Sequence, residues 1–499
     1  MIRSFALGLS ILGLSFSLIG QPSSSVSPQS FGDRISWERL APHIAYLTSD
    51  SLAGREAGTP GDSLARAYLI RNMMEMGLQA SVPDSNHTDS TFQQLVPLTR
   101  FQVKDGWLKV DDTKRTHLED LVCLSGRTRG RTISLEPKYL ARGTESDFGE
   151  DRYHRKAVLI RCTAGEIVDR YQRAHQAGAS AVLLVTAEND ARFQAQLRRF
   201  RLLLSNPQSQ LSGTKGRVPL LLISPQTAAQ ILDIPLADWR KETFTLPKRL
   251  GRIDIHIDQE EVDIPTYNVI GWIPGQEHPE EVVVISVHYD HLGFRRGNLY
   301  PGADDNAAGV AAMLEIAAAF RRAVAAGHPP TRSLLFIGFA AEEKGLIGSK
   351  FYAKHPLFPF DQTIANLNMD MIGHLDKEHE DRPRFVSVVG SDWLSDDLHQ
   401  IHEDANEQYP KLHLDYTYNS KSHPERFYYR SDQYNFARYG VPVIFYTSGD
   451  HWDYHKPTDT MDNLVPERVE GVAQLVFYTA WELAYREKAI RRKEKEKGK

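Results

Sequence analysis

Cysteine is scarce: Cys123 and Cys162 are the only two in 499 residues. That excludes a disulfide-stapled scaffold and leaves a thiolate metal cage or a cysteine nucleophile little to build on. Whether the two pair with each other stays open. An excess of charge of one sign is also missing. The 59 Lys and Arg stand against 64 Asp and Glu, for a net charge of −5, so neither a nucleic-acid nor an anionic-membrane partner is expected. Past the first twenty residues there is no long apolar run, and no integral membrane segment is expected in the mature chain. Charge clusters only at 486–499, mostly Lys, Arg and Glu, which reads as a solvated, frayed helical end.

What is present begins with the amino terminus. Arg3 precedes an apolar run over 5–19, and Gly20 is followed by Gln-Pro-Ser-Ser-Ser. A positive start, a short apolar stretch and a small-residue exit form the pattern of a secretory signal peptide over 1–20. The run falls short of the ~20 residues that a membrane span needs. The mature protein is expected outside the cytoplasm, periplasmic or secreted, and with no cysteine after the run a lipid-anchored exit is not supported.

Residues 37–78 read as helical material interrupted by the turn-rich 49–61, with Leu40, Ile44 and Leu47 at helical spacing and Asp62 as the cap of a second helix. From about 95 to 250 the texture changes. Short β-like runs at 157–160, 181–185 and 218–223 surround one helix at 167–177, and no cluster of histidines with carboxylates occurs there. From 267 onward, buried-strand runs at 282–287, 333–339, 364–369 and 442–446 alternate with helices such as 307–322. The expected fold class is α/β, a doubly wound, mostly parallel sheet with an inserted smaller β-rich α+β domain. The expected organisation is 1–20 signal peptide, 21–95 amino-terminal part of the main domain, 96–250 insert, 251–485 main domain and 486–499 tail.

Residues able to bind metal fall just beyond the strands. His288 and Asp290 follow the run ending at Val287, Glu342 and Glu343 the run ending at Phe339, and Asp370 ends the next. His455 lies in the loop after the last strand, and Asp304 and Asp305 sit in a Gly-containing loop before a helix. Taken singly these are ordinary: an Asp pair before a helix is a cap, adjacent glutamates are a solvated surface, a lone histidine packs. In an open α/β sheet, however, the carboxyl ends of the strands share one edge, where ligands bind. Several carboxylates gathered there repel unless cations neutralise them. Two imidazoles with carboxylates favour zinc, and five good ligand candidates suit two ions sharing a bridging carboxylate.

The segments Val-His-Tyr-Asp-His-Leu-Gly (287–293), Pro-Gly-Ala-Asp-Asp-Asn-Ala-Ala-Gly (301–309), Phe-Ala-Ala-Glu-Glu-Lys-Gly-Leu-Ile-Gly-Ser (339–349), Asn-Met-Asp-Met-Ile-Gly (368–373) and Tyr-His-Lys-Pro-Thr-Asp-Thr (454–460) resemble the M28 zinc aminopeptidases. Leu-Thr-Ser-Asp-Ser-Leu-Ala-Gly-Arg (47–55) is similar to that family's first segment, and 156–161 with 174–185 resemble its protease-associated domain. The resemblance implies two zinc ions per chain, with His288 and Asp370 on one, Glu343 and His455 on the other, and Asp304 as the bridge. It further implies that Asp290 orients His288, that Glu342 is the general base toward water between the metals, and that Arg430 lies near substrate. Tyr454 reads equally as an oxyanion donor or a packing residue. Gln433 departs from the family pattern, where His follows Ser-Asp, and altered orienting or substrate contacts are expected there.

The expectation is an exported aminopeptidase acting on peptides. Rivals on the same fold are a carboxypeptidase, which needs cations for a terminal carboxylate, and a single-zinc glutaminyl cyclase, disfavoured by the complete ligand sets. A non-catalytic binding protein would be expected to have lost ligands or base. Side-chain preference and oligomeric state are not legible.

Overall fold

The computed structural model describes residues 27–83, 89–204, 207–212, 218–241 and 243–494. The expected signal peptide at 1–20 lies outside the described residues. Among those described, no helix is long and apolar enough to cross a membrane.

The runs rich in Val, Ile and Phe form the strands His278–His288, Arg332–Phe339, Thr363–Met369 and Val443–Thr447. These four are mutually parallel, with His278–His288 between Arg332–Phe339 and Thr363–Met369, and Val443–Thr447 beyond. The 21-residue strand Ile253–Ile273 pairs antiparallel with Arg332–Phe339, and Phe385–Val389 pairs antiparallel with Val443–Thr447 at the other side. Register puts His288 opposite Phe339 and Met369 opposite Tyr446, so four chain segments leave the sheet at one level.

Alternation along each strand sends successive side chains to two different cores, as the period of two requires. Val283, Ile285 and Val287 pack with the helices Trp37–Leu47, Gly309–Ala325 and Pro466–Tyr485, whereas Val282, Val284 and Phe339 pack with Tyr352, Tyr428 and Phe436. Both faces are covered, which is the doubly wound arrangement. The helix Pro60–Glu75 starts earlier than expected. Its cap is Thr59, whose hydroxyl accepts the Asp62 N–H, and Asp62 is itself buried with its carboxylate bonded by Thr266. An Asp two residues inside a Thr-Pro start is a first-turn residue, not the cap.

The strand Gln93–Val110 pairs antiparallel with Ile253–Ile273 along its length, from Gln93 opposite Val269 to Val110 opposite Ile253. The first strand of this ribbon crosses the expected boundary at 96, and the second begins at Ile253, just past the one at 250. Beyond it, Ile133–Tyr139, Lys156–Arg161, Ala181–Val185 and Leu220–Leu222 form a parallel sheet, with Val122–Ser125 antiparallel at its edge and the helix Ile167–Gln176 packed on it. Two apolar clusters form here, one of them shared with Leu108, Val110, Ile253, Ile255 and Ile257 at the end of the ribbon. Cys123 sits in one and Cys162 in the other, both as buried free thiols with burial pushing the Cys162 thiol up to about 11. Residue alternation has placed them on different faces of the small sheet, so they do not pair.

The tail departs from expectation. The last helix stops at Tyr485, and the described residues after it lie on the body instead of fraying. The Arg491 guanidinium bonds Asp397 at 2.7 and 3.0 Å, Arg492 donates to the Thr363 carbonyl at 2.7 Å and Lys493 to that of Asp392 at 2.7 Å. Its cations find acceptors at strand and helix ends, which a frayed helix would leave in solvent.

Candidate metal centre

At the carboxyl edge of the sheet, the loops after the strands converge with the loop 301–308. His288 Nδ1 donates to the backbone carbonyl of Asp290 at 3.1 Å. A carbonyl can only accept, so Nδ1 carries a hydrogen and Nε2 is the nitrogen left for a proton or a cation. That Nε2 faces Asp370 Oδ1 at 3.0 Å, Asp305 Oδ1 at 3.3 Å and Glu342 Oε2 at 4.0 Å. A lone pair aimed at carboxylate oxygens is repelled unless a proton or a cation lies between them.

A second group adjoins the first. His455 Nε2 lies 3.1 Å from Glu343 Oε2 and 3.3 Å from Asp305 Oδ2, and His291 Nδ1 lies 2.8 Å from Glu343 Oε1 and 3.7 Å from Asp305 Oδ2. Ligands ~2.0–2.1 Å from a tetrahedral ion are ~3.3 Å apart, close to these spacings. Glu343 Oε1 and both ring nitrogens of His291 are buried without an aligned hydrogen bond. The donor set therefore fits a cation in each group, and Asp305 offers one oxygen to each.

Asp304 is not part of this arrangement, and the expectation that it bridges is corrected. Its carboxylate accepts the N–H groups of Gly373 and His374 and the Ser448 hydroxyl. It caps the chain where it leaves the strand Thr363–Met369. Asp459 holds the loop by accepting the N–H of Asp304 at 2.9 Å and of Asp305 at 3.1 Å. Gly302, at φ +63°, is required where it stands, because a Cβ would lie 2.5 Å from the His291 ring.

Asp290 reaches His288 through its backbone, while its Oδ1 accepts the Glu342 N–H at 3.0 Å and so ties the Glu342–Glu343 loop to the His288 loop. Burial pushes Asp290 up to about 8 and Glu342 well above the carboxylate range, His288 opposing both. Burial alone would lower His455 and His288. Asp305 and Glu343 outweigh it at His455, held at about 10, and Asp370 and Glu342 outweigh it at His288, well above an ordinary imidazole. Asp432 is buried too, with only Ser349 beside it and no well-aligned hydrogen bond, and burial raises it to about 7. The nearby permanent cation Arg55 is fully buried and donates to the carbonyls of Leu47, Tyr289, Pro301 and Gly302.

Arg430 and Tyr454 line a cleft of about 310 Å³ with Asp305, Glu342, Asp370, Met371, Phe427, Phe445 and His455. Arg430 is paired with Asp450 through both nitrogens, at 2.8 and 3.2 Å. Tyr454 stacks on His455, centroids 3.9 Å apart, and burial raises its hydroxyl pKa, keeping it a donor. Gln433 does not face the cleft. It accepts from Asn368 and donates to the Tyr428 carbonyl, a buried clamp between strand and loop.

A further group, His374, His451 and Asp453, lies behind Asp304. Its rings stack face to face, 4.1 Å apart and 16° from parallel, so their in-plane lone pairs run side by side and do not converge. His374 stands between Asp453 at 3.7 Å and Asp459 at 3.5 Å, and Asp459 and Asp304 raise its pKa against burial. It is an imidazolium–carboxylate network bracing Asp304.

His291, Asp305 and Arg55 all stand inside the motif segments, yet the sequence alone assigns none of them a role. The signal for His291 was a second histidine three residues after His288; for Asp305, nothing in the sequence separates it from Asp304.

The family described as Peptidase family M28 matches residues 268–480, a span containing all of these candidate ligands. These residues belong to peptidase family M28. The M28 domain makes the chain an enzyme of the metallo-exopeptidase class. Across 94% of the chain and 91% of the relative it is 24% identical to aminopeptidase YwaD of Bacillus subtilis (strain 168). Among solved structures, the aminopeptidase from Aneurinibacillus sp. strain AM-1 is similar with a TM-score of 0.58 and 20% identity, over 94% of this chain and 97% of that one. BSAP, a zinc aminopeptidase from Bacillus subtilis, is similar with a TM-score of 0.52 and 20% identity, over 91% and 97%. Both likenesses extend beyond the M28 domain into the insert.

Proposed function

We propose that this chain is an exported aminopeptidase with two zinc ions, releasing amino-terminal residues from peptides. One observation carries the reading: Asp305 places its two oxygens 3.3 Å from His288 and 3.3 Å from His455, each imidazole backed by a further carboxylate. His288, Asp370 and Asp305 would hold one ion. Asp305, Glu343 and His455 would hold the other, with His291 beside Glu343. Zinc held there supplies Lewis acidity toward a carbonyl and toward water.

The chain's own groups do the remaining work. Glu342 sits at the cleft wall with a raised pKa, suited to take a proton from water and return it to the leaving amine. The hydrogen bond from His288 to the Asp290 carbonyl keeps Nε2 free to ligate. Tyr454 remains protonated and can donate to a developing oxyanion.

Arg430 favours an aminopeptidase over a carboxypeptidase. It is the cation lining the small cleft, and Asp450 already neutralises it with paired bonds. The acidic surroundings suit an ammonium group instead. The mature protein should cleave leucyl anilide and unblocked peptides in a chelator-sensitive manner and leave amino-blocked peptides intact. Release of carboxyl-terminal residues from amino-blocked peptides would instead establish the carboxypeptidase reading.

A further inference from the structure

Two spaces adjoin the candidate metal centre, and consecutive residues of one loop line them. Glu342 borders the small cleft of about 310 Å³ with Met371, Phe427 and Phe445. Glu343 and Lys344 border a much larger one of about 1420 Å³, whose other walls come from two parts of the chain. The insert contributes Arg100, Phe101, Leu124 and Phe200, and the hairpin beyond His291 contributes Phe294 and Arg295.

We propose that the larger cleft receives the part of the peptide beyond the scissile bond, so that the insert forms one wall of the specificity site. Arg100 and Arg295 would read the free carboxyl terminus of a short peptide. The inference rests on the aminopeptidase reading. A peptide bond lying at the metal centre has one residue on its amino side, and the small cleft bordered by Glu342 adjoins that centre. The rest of the peptide needs an exit, and the space reached through the same loop is several times larger.

Its charge is complementary to a peptide's end. Lys344 is neutralised by Glu56 at 2.6 Å. Among the described residues neither Arg100 nor Arg295 makes an ion pair; the Arg295 Nε bonds only the Leu292 carbonyl, at 3.3 Å. A carboxylate entering here meets two uncommitted guanidinium groups, which bind carboxylates by paired hydrogen bonds. Its apolar surface is complementary to side chains. Phe294 is 59% exposed at this space, and Phe101 and Phe200 face it from the insert. The substrate class is thus short peptides with an apolar residue after the cleaved bond and an unblocked carboxyl terminus.

The test uses the zinc-loaded mature chain with three substrates: leucine p-nitroanilide, Leu-Phe-Ala with a free carboxyl terminus, and the same peptide amidated. The free acid should exceed the amide in kcat/KM by about five-fold or more, and R100A/R295A should bring that ratio close to one. Phe200→Ala should lower kcat/KM for the peptide several-fold more than for the anilide. Equal rates for acid and amide in the unaltered enzyme, or a ratio unmoved by R100A/R295A, would overturn the proposal, and the first of these needs no variant to fold. Failure to cleave the anilide as well would instead refute the aminopeptidase reading on which it rests.

Discussion

Adjacent in the chain, Asp304 and Asp305 hold their carboxylates in two separate networks. Asp305 lies between His288 and His455, while Asp304 caps the backbone at Gly373 and His374. Asp305→Asn should therefore weaken both metal ions together, whereas Asp304→Asn should keep both and cost about 1–3 kcal/mol of stability by impairing a buried acceptor. Elemental analysis after dialysis, with thermal unfolding of each variant, separates the two. Loss of both ions from Asp304→Asn alone would return the bridging role to Asp304.

Glu342 and Glu343 are neighbours with different surroundings. Glu343 meets two imidazoles and is lowered to about 2 despite burial, whereas burial raises Glu342. Glu342→Gln should retain metal and lose ~10²–10⁴-fold in kcat, the usual scale for a general base. Glu343→Gln should lose metal affinity, with activity partly recovered in excess zinc. The reverse pattern would exchange the roles.

His291 and His455 both face Glu343, and the reading gives His455 the ligand role. His455→Ala should abolish binding of one ion. His291→Ala should weaken that ion by ~10–100-fold, the scale for a group that supports a ligand. Cobalt substitution followed by absorption spectroscopy would report each change, and full retention of the second ion in His455→Ala would make His291 the ligand.

Removing metal should alter the dependence of stability on pH. Asp290, raised to about 8, keeps its proton in the folded state after it would ionise in the unfolded chain. Its contribution is complete below the ordinary carboxylate pKa of ~4 and is lost as pH rises toward 8. Chelated protein should show a falling Tm from about pH 5 to about pH 8. With saturating zinc the fall should shrink or reverse, since ligands must be deprotonated to bind. Thermal scans across this range decide it, and a chelated protein equally stable at both ends contradicts the assignment.

Arg55 joins the helix Trp37–Leu47 to the loops bearing His291 and Asp305 through four carbonyl acceptors. Arg55→Met should destabilise the protein by about 3–5 kcal/mol, as expected when a buried charged group is removed and its partners are stranded. Arg55→Lys keeps the charge and should recover only part of that loss, because one ammonium cannot span the four acceptors. Denaturant unfolding of the two variants measures both effects.

Much of this was legible before any coordinates. Apolar runs at 282–287, 333–339 and 364–369 marked parallel strands, and motif residues placed just after them marked the edge where His288, Glu343, Asp370 and His455 meet. Strand position dictates this, because every parallel strand delivers its following loop to the same side. A change in texture from about 95 carries the expectation of an insert. The ribbon from Gln93–Val110 and Ile253–Ile273, whose first strand crosses the expected boundary at 96, was not legible there.

Strand and helix runs alone were enough for the α/β class, because their order leaves few other ways to pack. Packing settles which of two adjacent aspartates faces both imidazoles, that His291 joins them, that the cysteines lie in different cores and that the tail docks. These outcomes depend on the direction in which a side chain leaves an irregular loop. Residue type and spacing do not encode that direction; it is set by partners far away in the chain, as Asp459 sets it for Asp304 and Asp305.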